Sequence, residues 1–252
     1  MIKKKVRTIL ETLSQLKNSI FGNKKYRKFI VITRSRTGSN LLISFLNSHP
    51  NINAKGEVFG KLNGKTTSEV WKNIFSFKPK EIKYVGFKIF YYHPIDSDDK
   101  SVWDLIKKDK SIRIIHLTRL NMLRTVISRQ IAEKTNSWTN KKSTKKNTTD
   151  KQIELDIDDC LNEFESTRKS EEKVKNDFSR DHFLELTYED LAKNNQKAMN
   201  QVFNFLDINS IEVKSSFKKQ NSETIKDLVI NYAALNERIR KTKFSNLMDL
   251  DT

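Results

Sequence analysis

The run FIVIT at 29–33 is apolar and rich in β-branched residues, and it passes directly into RSRTGSN and then LLISFLNSHP, whose apolar residues recur at helical spacing. This order predicts strand, tight loop and helix, with the loop's backbone N–H groups and the helix N-terminus gathered at one end of a sheet. A strand with no polar face has to be buried on both sides, as happens in a parallel sheet covered by helices.

The remaining pattern extends that architecture. YVGFKIF (84–90), SIRIIHLT (111–118) and HFLELTY (182–188) read as further strands, with WDLIKKD between the first two as a short helix. Helical spacing covers roughly 120–133, 153–178, 189–206 and 222–241, so strands alternate with helices. The fold class this predicts is α/β: three layers, P-loop-like, with a central parallel sheet flanked by helices. Residues 25–252 form one domain on this reading. Ahead of it, residues 1–24 read as a basic amphipathic helix carrying Ile2, Val6, Ile9, Leu13, Leu16 and Ile20 on one face. The lysine-rich stretch 135–150 lacks periodicity and reads as a mobile loop.

Composition narrows the compartment and the ligand. The formal net charge is +17, from 48 Lys and Arg against 31 Asp and Glu, which favours anionic partners: phosphorylated small molecules, polyanions or lipid surfaces. A single cysteine, Cys160, excludes an internal disulfide framework, and no Cys/His spacing suits zinc, so no metal is expected. No apolar run has the length of a secretion signal core or of a membrane span. A cytoplasmic protein is expected, with peripheral contact at the inner face of the membrane through the basic N-terminus as a further option.

The loop after FIVIT is an anion cradle in its own right. Gly38 permits close backbone approach, Thr37, Ser39 and Asn40 supply short polar side chains, and Arg34 and Arg36 supply permanent cations. It contains no G-x-x-x-x-G-K-[ST] pattern of nucleotide triphosphatases. GKLNGKTT at 60–67 approaches that pattern but is one residue short and follows no strand, so Lys65 and Thr66 read as an ordinary polar loop. The third strand ends at Arg119, and LNMLRTVISRQIA follows as a helix with Asn121 as its cap, which implies a second anion site beside the first. Two such cradles suit a nucleoside bearing phosphates at both ends.

RSRTGSN with HPNINAKGEVF, and HLTRLNMLRTVISRQIA, resemble the two donor-binding motifs of the sulfotransferases that use 3'-phosphoadenosine 5'-phosphosulfate (PAPS). The resemblance extends through GFKIFYYHP and LTYEDL, over roughly 25–235, and is nearest to the bacterial carbohydrate sulfotransferases of the nodulation and trehalose-sulfating kind. It implies that Arg36, Thr37, Gly38, Ser39 and Asn40 hold the 5'-phosphosulfate and that Arg119 and Ser128 hold the 3'-phosphate. Ser128 lies one position farther from its arginine than in the animal cytosolic branch, and Arg36 stands where that branch has lysine.

By the same resemblance, Glu57 is the general base, with His93 in reserve. The implied acceptor is a carbohydrate or glycolipid hydroxyl. No nucleic acid is implied, and homo-oligomerisation is left open. Lys88, costly to bury unpaired, is expected to point at the donor or acceptor. Tyr91, Tyr92 and Trp138 are candidates for stacking on a sugar or on adenine. His49 and His116 read as structural. Two other classes fit the cradles alone, a nucleotide-dependent kinase and a non-catalytic polyanion-binding protein.

Overall fold

The structure is a computed structural model that describes residues 22–138, 151–178, 182–214 and 223–250. Five strands, β1 (Arg27–Thr33), β2 (Ile52–Lys55), β3 (Tyr84–Phe90), β4 (Arg113–Thr118) and β5 (Phe183–Thr187), form one parallel sheet in the order β2-β3-β1-β4-β5. All seven residues of β3 are buried, Lys88 among them, and so are the last five of β1. These are the apolar runs that a sheet covered on both faces requires.

One face carries α1 (Ser39–Leu46) and α7 (Asn195–Phe205), whose Leu42, Phe45, Met199 and Phe203 meet Phe29, Val31, Ile115 and Leu117. The short α6 (Tyr188–Lys193) adds Leu191 to that side. The opposite face carries α2 (Thr67–Ile74), α3 (Ser101–Lys108) and the C-terminal half of α5 (Ile157–Phe178), packed on Ile30, Ile32, Phe87 and Ile89. A satellite cluster joins α4 (Met122–Thr135) and the first half of α5 to α8 (Ile225–Leu228), α9 (Tyr232–Arg240) and a 3₁₀ turn (Ser245–Met248). The sheet is thus the middle of three layers. From β1 the chain goes to the edge strand β2 and back in to β3, then crosses to the other side of β1 for β4 and β5. The crevice at the carboxyl end of β1 is therefore the position where open α/β sheets bind ligands.

The four expected strands are present, with edges moved by one or two residues. β2, α2 and the 3₁₀ turn at Ser245–Met248 were not expected. β2, INAK, has only Ile52 and Ala54 to mark it. α2 begins where GKLNGKTT had read as plain loop: the Thr66 hydroxyl accepts the Glu69 N–H at 3.2 Å, and Glu69 accepts the Thr66 N–H at 2.7 Å, a reciprocal capping box. The helix expected over 189–206 breaks at Asn194, whose side chain caps α7 by accepting the Lys197 N–H. The pattern at 222–241 likewise divides, because Val229 leaves the helix to bridge Ile153. α4 runs through Thr135, so the expected 135–150 loop starts later than the sequence suggested. The rest of that loop, 139–150, and nearly all of the amphipathic segment, 1–21, lie outside the described residues.

Candidate active site

Two left-handed residues shape the turn from β1 into α1, Arg36 at φ 65° and Gly38 at φ 79°. Gly38 is also the N-cap of α1 and offers no side chain to the first-turn amides. The Leu41 N–H turns back to Gly38 O at 2.9 Å, but the Ser39 and Asn40 N–H groups have no intrahelical acceptor, so an anion at the loop would meet them together with the positive end of the helix. A Cβ on Gly38 would stand 2.4 Å from Cδ2 of Tyr188, so glycine is required by both backbone and neighbour. The Thr37 hydroxyl closes the turn internally, donating to Arg34 O at 2.8 Å and lying 2.6 Å from the Thr33 hydroxyl.

Arg36 and Ser128 come together. The Nε of Arg36 donates to the Ser128 hydroxyl at 2.9 Å, and its Nη1 donates to the Trp138 carbonyl at 2.7 Å. Arg119 reaches the same loop from β4, donating from Nη1 to Arg36 O at 3.0 Å. Burial, and then the Arg119 charge, pull the Arg36 pKa down. Burial pulls Arg119 down as well. The Arg119 guanidinium lies 4.5 Å above the Tyr188 ring, and its buried Nε has no partner among the described residues. Two desolvated guanidiniums side by side, one with an unmet donor, form a site that an anion would stabilise.

The second helix-entry loop is braced from α6. Glu189 accepts the Leu120 and Asn121 N–H groups at 3.0 and 3.3 Å, while Asn121 caps α4 by accepting the Arg124 N–H at 3.0 Å. Tyr188 and Glu189 therefore support both cradles at once. Sequence reasoning singled out LTYEDL only through family likeness. The local signal is a tyrosine and two carboxylates directly after a strand.

Arg34 turns elsewhere. Its guanidinium pairs with Glu163 of α5 at 2.6 Å and donates to Thr167, and Glu163 also pairs with Arg129 of α4. Rather than pointing at the cradle, Arg34 joins it to the helical layer. Behind the loop is a small cavity, with room for about one water, lined by Arg34, Thr37, Arg119, Thr125, Thr167 and Glu171. Burial pushes the Glu171 carboxyl up to about 7.

From β3, Lys88 projects into the crevice. Its Nζ pairs with Glu57 at 2.9 Å and donates to Asn40 Oδ1 at 2.6 Å and to Ser39 Oγ at 3.3 Å. Burial lowers its pKa, against the opposing pull of Glu57. Lys88, Glu57, Ser39 and Asn40 thus form one cluster at the first cradle. The side chain of Glu57 is 41% exposed, which leaves it open to solvent and to an incoming group.

His93 is buried behind this cluster, and its Nδ1 accepts the Phe90 N–H at 3.2 Å, which leaves the ring proton on Nε2. Burial holds its pKa down at about 4, so the ring is neutral near pH 7. Tyr91 does not face the site: its hydroxyl lies 2.9 Å from His116 Nε2, and burial raises its pKa. Tyr92 and Trp138 are about half exposed near the loop. His49 is structural, bound to Asn209 O and the Asn51 N–H.

A profile of the Sulfotransferase domain family matches residues 26–246, and the chain belongs to that family. It is a sulfotransferase, and enzymes of this family take the sulfuryl group from PAPS. Nodulation protein H of Rhizobium tropici is 22% identical over 241 residues, which cover 88% of this chain and 93% of that protein. The crystal structure of a sulfotransferase from Alicyclobacillus acidocaldarius superposes with a TM-score of 0.52 at 11% identity, over 89% of this chain and 96% of that one, a likeness of fold. Mouse sulfotransferase SULT7A1, solved with PAP, aligns at 15% identity with a TM-score of 0.43, over 79% of this chain and 65% of that one. Among the described residues, no helix is long and apolar enough to cross a membrane.

Proposed function

We propose that this enzyme transfers the sulfuryl group of PAPS to a hydroxyl of a carbohydrate or glycolipid. The observation that carries the reading is the continuous set Glu57–Lys88–Ser39/Asn40 beside Arg36–Ser128, which puts a carboxylate, an ammonium and a guanidinium around one anion loop. PAPS supplies an activated sulfur whose S–O bond to phosphate breaks as a new S–O bond forms to the acceptor oxygen. The loop from Arg36 to Asn40 holds the 5' end, and Arg119 with Ser128 holds the 3'-phosphate.

Glu57 takes the proton of the acceptor hydroxyl, and Lys88 fixes the orientation of that carboxylate. Arg36 and Lys88 face the position where negative charge grows on the departing phosphate, so they favour the transition state over the ground state. His93 is the weaker candidate for base, because its Nδ1 is engaged by backbone and its neutral ring carries the proton on Nε2. A hydroxyl-rich acceptor is supported by the open, charge-bordered approach to Glu57 and by the likeness of RSRTGSN and KGEVF to the bacterial carbohydrate branch.

The test is transfer of labelled sulfate from PAPS to a panel of glycans and glycolipids. Label should appear in at least one of them, and Glu57→Gln should lower turnover by about 10²- to 10⁴-fold, the range of a lost general base. His93→Gln should cost less than about tenfold. No transfer to any acceptor, together with no binding of adenosine 3',5'-bisphosphate (PAP), would contradict the proposal.

A further inference from the structure

Tyr91 and Tyr92 follow β3 as neighbours and go opposite ways. Tyr91 goes inward to His116, at 2.9 Å. Tyr92 turns to the side of the cradle, near Ser35, Arg34, Glu57 and Arg129. Its ring packs 5.7 Å from Phe90 and stands nearly perpendicular to His93, 5.2 Å away at 88°. The ring is thus flanked by two aromatic neighbours, yet Tyr92 remains 45% exposed.

The turn bearing Tyr92 is also stitched to the loop bearing Glu57. The Ile95 N–H donates to Gly60 O at 3.0 Å, and the Gly60 N–H donates to Glu57 O at 3.0 Å. The carboxylate of Asp96 accepts the Leu62 and Asn63 N–H groups at 2.8 and 2.9 Å. At the N-cap of α3, Lys100 ties down the carbonyls of Pro94 and Ser97. Exposed Ile95 extends the apolar surface beside Tyr92. A rigid aromatic shelf is therefore fixed in register with the carboxylate at the active site, and it is open on one side.

The geometry points to Tyr92 as the specificity-determining platform for the acceptor: a pyranose stacks its C–H face on the ring and thereby presents a rim hydroxyl to Glu57. This inference rests on the sulfotransfer reading above and specifies how that site selects its acceptor. A sugar suits the shelf because it has an apolar face for the tyrosine ring and hydroxyls for the charges at its border. A flat phenolic acceptor carries a single hydroxyl, so it would make fewer polar contacts along the charged border of the shelf.

The test uses the full chain with saturating PAPS, disaccharides of glucose, galactose and N-acetylglucosamine, and 4-nitrophenol as the planar comparison. A disaccharide should be sulfated, and Tyr92→Ala should raise its KM by about tenfold or more, with kcat and PAP affinity within about threefold of the parent. Tyr92→Phe, which keeps the ring and loses only the hydroxyl, should stay within about threefold of the parent KM. An unchanged sugar KM in Tyr92→Ala, or sulfation of 4-nitrophenol with every disaccharide refused, would overturn the inference. PAP binding by the parent with neither class sulfated would overturn it while leaving the donor site intact. Failure of the parent to bind PAP would overturn the sulfotransfer reading and this inference with it.

Discussion

Two turns of this molecule look alike on paper and do opposite things. RSRTGSN and KLNGKTT each put a glycine with positive φ ahead of a helix, Gly38 at 79° and Gly64 at 77°, and each has a second left-handed residue, Arg36 or Asn63. The first follows a buried strand, and its helix has no side-chain cap. The second follows no strand, and its helix is closed by the Thr66–Glu69 capping box. A helix whose first-turn amides are capped from within has nothing to offer an anion, whereas one left uncapped beside two guanidiniums does. A glycine and a basic residue therefore identify little until the N-terminal amides are accounted for.

Substitutions can break this contrast. The largest effect is expected at Arg36, where Arg36→Ala should lower turnover by about 10²- to 10³-fold, the scale of losing one preorganised charge-stabilising donor. Lys65→Ala at the second turn should leave turnover unchanged in the same assay. Next come the glycines. Gly38→Ala forces a Cβ into the Tyr188 ring as well as an unfavourable φ, and PAP affinity should fall by about tenfold or more. Gly64→Ala meets nothing within 4 Å, so it should cost only the conformational strain, about 1 kcal/mol in denaturant unfolding, with PAP affinity intact.

Thr66→Ala removes the capping hydroxyl and should destabilise the fold by about 1 kcal/mol without altering kcat/KM. The smallest effect is in the pH dependence of stability. Glu171, behind the first turn, has its pKa raised by burial from 4.5 to about 7, so between those values the folded chain holds a proton that the unfolded chain has lost. That contribution to stability is present below the lower value and declines as pH rises through the window. Glu171→Gln should flatten the decline, measured as the difference between the two unfolding curves from pH 4.5 to 7. An unchanged slope would show that the carboxyl ionises normally in the fold.

The parallel sheet was readable because β1, β3 and β4 are largely buried on both faces and are therefore mainly apolar, with Lys88 in β3 and His116 in β4 as polar exceptions inside the runs. β2 was not, because an edge strand of four residues leaves Asn53 and Lys55 in its pattern. The breaks at Asn194 and Val229 were hidden for another reason. Each divides a segment whose helical periodicity continues on both sides, and only the capping side chain or the tertiary bridge decides the boundary. At the site, the cationic loop and Arg119 stood out locally, whereas Glu57 was named only through the family resemblance. The commitment of Arg34 to Glu163 and the opposite directions of Tyr91 and Tyr92 depend on partners distant in sequence, Glu163 and His116, and no local pattern records them.

The central claim is that the uncapped turn after β1, joined by Arg119, holds the donor nucleotide. Calorimetric titration with PAP in metal-free buffer tests it most directly, comparing the parent chain with Arg119→Ala and with the capped-turn variant Gly64→Ala. Binding by the parent and by Gly64→Ala, with loss of binding in Arg119→Ala, is the predicted result. No binding by the parent unless ATP and magnesium replace PAP, or equal binding by all three proteins, would contradict it.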